Sequence, residues 1–235
     1  MAIFTEQEAQ ALLKKVLAFS KADECECGLE GSITGNIRYA RNTVSTSGEV
    51  SDVTLAVQSS FGKRTGTATI NEFDDASLEK VVRRSEELAK LAPENPEYMP
   101  LLGPAKYDKV DAWRDSTASM TPADRAQMAD ASITPSRDKK MVAAGFLRDT
   151  KGFFAMANNK GMFAYHRATN ADFTVTVRSE DGRGSGWASL DFNDVSKLDT
   201  GKASAIAIKK ARDSVDAKEM EPGRYTVILE PAASV

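Results

Sequence analysis

The sequence predicts an α+β fold: antiparallel sheets built from a duplicated hairpin–helix unit, with helices packed on the sheets. Three observations carry the prediction. The stretch Ala171–Phe192 alternates apolar and polar residues on either side of Asp181-Gly182, as a hairpin does. A shift of 120 positions lays Leu55–Leu78 over Val175–Leu198, matching Val57, Ser59, Gly62, Gly66, Ala68, Asp74 and Leu78 to Val177, Ser179, Gly182, Gly186, Ala188, Asp194 and Leu198. Each copy is followed by apolar residues at helical spacing. The alternative is that any two hairpins with glycine turns look alike.

Taken in order, the chain opens with Thr5-Glu6-Gln7-Glu8, a capping box in which Thr5 caps and Glu8 reaches back. Ala9, Leu12, Leu13, Val16 and Leu17 then form one stripe, so a helix is expected from about Glu6 to Ser20. Two short strands follow, Glu24–Glu30 and Asn36–Asn42, and Thr43–Ser51 reads as a polar loop. Val53–Ile70 is the first hairpin, with Val57 facing Gly66, Leu55 facing Ala68 and Val53 facing Ile70. Asp74 or Asp75 caps the next helix, whose inner side carries Leu78, Val81, Val82, Leu88 and Leu91.

Ala92–Trp113 holds four prolines and no sustained period, so it is a linker or an extended surface segment and the expected boundary between subdomains. Thr121 caps a further helix with Pro122 at its first position, and Pro135 marks its latest end. From Lys139 the pattern is a meander of strands: Met141–Asp149, Gly152–Asn158, Gly161–Thr169, then the Ala171–Phe192 hairpin, with Asn158–Gly161 as a tight turn. In the second hairpin Phe173 is expected to face Leu190, Val175 to face Ala188 and Ala171 to face Phe192. A one-residue slip would destroy that match. Gly201–Val215 returns to helical spacing through Ala205, Ile208 and Ala211, Pro222-Gly223 breaks it, and Arg224–Glu230 begins a new strand. The expected organisation is an α+β subdomain over 1–95, a linker over 96–120, a second α+β subdomain over 121–220, and over 221–235 the start of an interrupted C-terminal domain.

Composition narrows the function. The 235 residues are 41% hydrophobic and 28% charged, ordinary for a globular protein that buries a substantial core. A net charge of −3 argues against nucleic acid as the main partner. No apolar run approaches the roughly 18 residues that span a bilayer, and the N-terminus is an amphipathic helix start rather than a signal peptide, so a cytoplasmic protein is expected.

Candidate chemistry is sparse. Cys25 and Cys27 share one face of a strand, poorly placed to bridge each other; they read as two small buried side chains, a metal site needing further ligands. His166 is the only imidazole, with no nucleophile elbow to serve, and reads as structural or surface. Gly182–Gly186 joins two antiparallel strands rather than a strand and a helix, so it is no phosphate cradle; its small residues let another backbone pack close. Asp172 falls opposite Asp191, a like-charge pair that is either solvated or bridged by a cation, with solvation preferred. Arg38, Asn42, Arg178 and Trp187 are the candidate substrate or interface residues; no catalytic or metal residue is assigned.

Five segments together, Ile37–Asn42 (IRYARN), Gly62–Ala68 (GKRTGTA), Asn158–Gly161 (NNKG), Ser179–Trp187 (SEDGRGSGW) and Glu221–Pro231 (EPGRYTVILEP), resemble the TldD/PmbA family, named as modulators of DNA gyrase and regarded as intracellular peptidases. The resemblance covers nearly the whole chain and the N-terminal half of the family pattern. It implies a zinc metallopeptidase that matures or degrades peptides, with zinc on the catalytic type of subunit, where a motif of the HExxxH kind follows the segment matching Arg224–Pro231. That motif is not in this sequence, so no cofactor is expected in this chain, and EPGRYTVILEPAA is nearer the non-catalytic, PmbA-like type. The implied partners are a second copy or a related subunit, and unfolded peptide; membrane and nucleic acid are not expected. The alternative is a non-enzymatic dimerisation or peptide-binding module.

Overall fold

The computed structural model describes residues 3–230, 233 and 234. Its elements run α1 (Glu6–Phe19), β1 (Glu24–Ala40), β2 (Thr43–Phe61), β3 (Arg64–Ile70), α2 (Asp75–Leu91), α3 (Asp115–Ala118), α4 (Pro122–Asp138), β4 (Met141–Asn158), β5 (Phe163–Ser179), β6 (Ser185–Phe192) and α5 (Thr200–Asp213). The strands form one antiparallel sheet of six, ordered β3-β2-β1-β4-β5-β6, and the fold is α+β. Read from either edge inward, that order is the third, second and first strand of a three-stranded run. The duplicated unit is β2–β3–α2 and β5–β6–α5, with α1 and α4 preceding their three strands in the same way.

The chain divides into two compact units: Met1–Thr34 with Val50–Trp113 and Thr150–Thr169, and Gly35–Glu49 with Arg114–Asp149 and Asn170–Val235. These units interleave along the sequence because β1, β2, β4 and β5 each give residues to both.

In the first unit α1 and α2 lie on the strand face that carries Cys25, Cys27 and Leu29, Val53, Leu55 and Val57, and Phe153, Ala155 and Ala157. The alternation puts every one of these on one side. Thr5 caps α1 through the Glu8 amide while Glu8 bonds back to the Thr5 amide at 2.8 Å, and Ala9, Leu13 and Val16 are its buried stripe. Asp74 caps α2, accepting from the Ser77 amide at 3.0 Å. Both cysteines are free and buried, and the bond to Cys25, with burial second, pushes the Cys27 thiol above the ordinary cysteine range.

The second unit repeats the arrangement with Ile37 and Tyr39, Ala143 and Leu147, and Phe173, Val175 and Val177 under α4 and α5. Its α4 buries a polar face: Arg125, Ser132 and Ser136 with Ala129 and Ile133. Arg125 bonds Asp149 through Nε at 2.5 Å and a terminal nitrogen at 3.0 Å, with Glu49 at 3.4 Å. Tyr39 donates to Ser132 Oγ at 2.6 Å, and Ser204 joins the same oxygen at 2.7 Å. Burial pushes the Tyr39 phenol up to about 12. Thr121 and Asp124 form the capping box, with Pro122 in the first turn.

Several expectations change. β1 is one strand rather than two: Gly35 does not turn the chain but clears space, since a Cβ there would stand 1.7 Å from the Arg125 guanidinium. β4 and β5 are likewise continuous, and the four segments expected from Met141 to Arg178 are two long strands. Thr43–Ser51 is the first half of β2, not a loop; it is polar because it is exposed throughout, and β-branched Thr43, Val44, Thr46 and Val50 suit an extended chain. The turn before it is Arg41-Asn42, both in the left-handed region at φ 51° and 59°. Helix α4 runs past Pro135 to Asp138. Ala205 faces solvent while Ala203, Ala207, Ile208 and Ala211 are buried, and Leu91 is exposed. Arg224–Glu230 is not a strand: it pairs with nothing in a ladder among the described residues, and Val227, Ile228 and Leu229 are exposed. Pro231, Ala232 and Val235 of that segment lie outside the described residues, as do Met1 and Ala2.

Both hairpins form, with one register as expected and one shifted. Ala171 faces Phe192, Phe173 faces Leu190 and Val175 faces Ala188. The loop is four residues, Glu180–Arg183, rather than the tight pair Asp181-Gly182; Ser179 donates to the Gly184 carbonyl at 3.0 Å and only Gly182 has positive φ. Both loops give the same register because they differ by one residue on each side. In the first hairpin Leu55 faces Ile70, Val57 faces Ala68 and Ser59 faces Gly66, a shift of two from expectation, because the turn is Gly62-Lys63. A two-residue shift keeps parity, so the buried face is unchanged. In both copies a glycine after the turn seats the following helix: a Cβ on Gly66 would stand 2.2 Å from the Ala89 nitrogen of α2, and one on Gly186 would stand 2.0 Å from the Ala207 oxygen of α5. No helix among the described residues is long and apolar enough to cross a membrane.

Candidate functional site

Alternation along the strands of the second unit decides which side chains can meet a partner. Tyr39, Phe173, Val175 and Ala188 turn to α4 and α5, so Arg38, Arg178 and Trp187 turn the other way and are exposed. Trp187 sits opposite Thr176 on β6, and Arg178 opposite Ser185. Arg38 borders a depression of about 470 Å³ with Ala40, Ala144, Gly145, Phe146 and Thr174. The structure therefore brings three of the four candidate residues to one helix-free sheet face, on β1, β5 and β6.

Asn42 is placed differently. Its side-chain amide donates to the Met141 carbonyl at 2.7 Å, its side-chain oxygen accepts from the Ala143 amide at 2.7 Å, and its own amide donates to the Ala143 carbonyl at 3.1 Å. These bonds clamp the β1–β2 turn to the start of β4 and engage both ends of the side-chain amide. On the same face as Arg38, the expected like-charge pair has protein partners: Asp172 accepts from Arg148 at 2.7 Å and Asp191 from Asn170 at 2.8 Å. Arg148 is the cation beside Asp172 and Asn170 the partner of Asp191, so solvation alone does not account for the pair.

The first unit carries a cleft of about 620 Å³ walled by Tyr107, Trp113, Phe154, Tyr165, His166 and Arg167. It forms because the proline-rich segment folds back along β5. Thr169 donates its amide to the Ala112 carbonyl at 3.1 Å, and the Arg167 guanidinium lies over the Trp113 ring at 4.7 Å. The other end of the segment is held by Glu24, which accepts from the Tyr98 hydroxyl, from the Leu101 amide at 3.0 Å and from Lys160 at 3.2 Å. The Tyr98 bond holds the Glu24 carboxyl below the usual carboxylate range. Alternation placed Glu24 at the end of a strand but gave no sign of this clamp. His166 is exposed on the cleft wall.

Among the described residues no three His, Cys, Asp or Glu side chains are grouped as a metal site would need. Cys25 and Cys27, both enclosed in the core beneath α1 and α2, do not make up the deficit. The described donor set does not fit a catalytic zinc.

Two family models match the chain: residues 25–89 match the PmbA/TldA metallopeptidase domain 1, and residues 115–215 the PmbA/TldA metallopeptidase central domain. The fold is similar to TldE from Thermococcus kodakarensis, with a TM-score of 0.71 at 16% identity over 83% of this chain and 46% of that one. It is also similar to a protein described as a candidate modulator of a DNA gyrase from Thermotoga maritima, with a TM-score of 0.81 at 13% identity over 91% and 50% of the two chains. A protein described in the same way from Bacteroides thetaiotaomicron gives 0.77 at 16% identity over 94% and 53%. The chain spans about half the length of these solved relatives. No curated protein matches it significantly.

Proposed function

Because the chain belongs to the PmbA/TldD metallopeptidase family, we propose that it is the substrate-handling and assembly portion of an intracellular peptidase that matures or degrades peptides, of the non-catalytic, PmbA-like type. The observation that carries this reading is the helix-free sheet face of the second unit. There Arg38, Arg178 and Trp187 stand exposed, Arg38 beside Phe146 and Thr174 in a depression, while no described group of side chains offers a metal site. Such a face meets a peptide through its exposed side chains, while the edge of the same sheet can bind an extended peptide through main-chain groups with little sequence preference. That is the chemistry needed to deliver varied, unfolded peptide to a zinc centre on another segment or subunit. The partner in assembly is a second copy or a related family subunit, acting in the cytoplasm.

The test compares this 235-residue chain with the intact protein that carries it, for zinc content and for cleavage of an unfolded peptide. The expected result is a metal-free, inert chain, with zinc and activity appearing only when the rest of the protein and its related subunit are present. Stoichiometric zinc with peptidase activity in the 235-residue chain alone overturns the reading.

A further inference from the structure

On the helix-free face of the second unit, the charges carried by β1, β4, β5 and β6 are Arg38, Arg148, Asp172, Arg178 and Asp191. Alternation sets each of them opposite the residues that turn to α4 and α5. Both carboxylates are answered within the sheet. Asp172 accepts from Arg148 at 2.7 Å, and Asp191 accepts from the Asn170 side-chain amide at 2.8 Å. Arg148 is thereby neutralised, which leaves Arg38 and Arg178. No carboxylate among the described residues pairs with either, although Glu180 follows Arg178 by two positions. The chain as a whole has a net charge of −3, so this face departs in sign from the rest of the protein.

Strand geometry sets how one ligand could meet both arginines. β1 and β5 are separated only by β4, and so lie about 10 Å apart at the usual strand spacing. Arg38 borders the same depression as Thr174, and Arg178 lies four residues further along β5, about 13 Å away. The backbones that carry the two guanidiniums are therefore roughly 16 Å apart, the span of about five extended residues. Trp187, opposite Thr176, lies level with the interval between them. With Phe146 in the depression, it offers apolar surface that is indifferent to charge.

We infer that Arg38 and Arg178 make this face selective for acidic segments, each guanidinium taking one carboxylate of a peptide whose acids stand about five residues apart. A guanidinium presents a fork of donors that matches a carboxylate, and here two such forks have no partner of their own. An exposed ion pair is worth up to about fivefold in affinity, so the preference is graded and neutral segments still bind. The inference rests on the reading of this chain as substrate-handling and adds the class of segment it favours.

The test uses the intact protein and two labelled, unstructured peptides of Ser, Gly and Leu. They are identical except that two glutamates, about five residues apart in one, are glutamines in the other. Affinities are read by fluorescence anisotropy at low salt. The glutamate peptide is expected to bind about tenfold more tightly. That ratio should fall towards one in about 1 M salt, where the screening length is about 3 Å. Arg38→Gln and Arg178→Gln should each reduce the ratio about threefold, while Arg38→Lys, which keeps the charge, should retain most of it. Asp172→Asn releases Arg148 from its partner and should raise the ratio. A ratio near one overturns the selectivity and leaves the substrate-handling reading intact. So does a ratio that survives both glutamine substitutions together, or one that falls on Asp172→Asn. Binding of neither peptide overturns both, as does binding that no substitution on this face changes, Trp187→Ala included.

Discussion

Helices α1 and α4 hold corresponding places in the two units but use opposite chemistry against the strands. The buried stripe of α1 is Ala9, Leu13 and Val16, and it joins Cys25, Leu29 and Val57 in an apolar core. The buried face of α4 includes Arg125, Ser132 and Ser136, and it is fixed by the Asp149 pair and the Tyr39–Ser132–Ser204 bonds. One arrangement can therefore be held either by burial, which is indifferent to direction, or by bonds that specify one orientation. The second helices do not differ in this way: α2 and α5 each sit on a glycine, Gly66 or Gly186, with helix backbone where a Cβ would be.

The strongest way to break that equivalence is at the glycines. Gly66→Ala and Gly186→Ala each place a methyl within about 2 Å of helix backbone atoms. Backbone cannot rotate away as a side-chain end can, so each change should cost at least about 4 kcal/mol or leave no folded protein. Urea denaturation followed by circular dichroism checks it. If only one substitution is severe, the two helix seats are not equivalent.

The contrast between α1 and α4 is sharpened next. Arg125→Met leaves Asp149 enclosed without its cation and should destabilise by about 3–5 kcal/mol. Adding Asp149→Leu should recover most of that loss, since replacing both members of a buried pair is often close to neutral. Leu13→Ala in α1 should cost a comparable 2–5 kcal/mol, yet no second substitution of a neighbouring charge can rescue it. A single Arg125→Met variant of wild-type stability would mean that the ion pair does not hold α4.

The same contrast explains what could be read from the sequence. The capping box at Thr5, the cap at Thr121 and the alternation of Ala171–Phe192 are local signals, and the structure keeps them. The inner face of α4 gave no apolar stripe to find, because its buried residues are largely polar. Thr43–Ser51 looked like a loop for a related reason: polarity was taken for irregularity, when it marks a strand that no helix covers. β1 was expected as two strands, and the gap between them holds Gly35, whose purpose, room for Arg125, lies on another element. At the candidate site, alternation was enough to turn Arg38, Arg178 and Trp187 outward. The clamp made by Asn42 depends on a left-handed turn that no periodicity announces.

The smallest effect separates the two hairpin turns. The four-residue loop of the second hairpin is tied by Asp181, which accepts from the Ser179 hydroxyl at 2.6 Å, the Arg183 amide at 3.1 Å and the Arg183 side chain at 2.7 Å. These bonds, the Ser179 hydroxyl first, hold its carboxyl down to about 2 from an ordinary value of 3.8. A folded value below the unfolded one means that the stabilisation is fully present at neutral pH. It is lost as pH falls from about 4 through about 2. The Gly62-Lys63 turn contains no carboxylate of its own. Carbon-detected NMR of the Asp181 carboxyl should therefore show a midpoint near 2, with Ser179 and Gly184 amide shifts moving in step while those at Phe61 and Arg64 do not follow Asp181. A midpoint at the ordinary value would mean that the loop is not tied in solution, and that its length alone distinguishes the two turns.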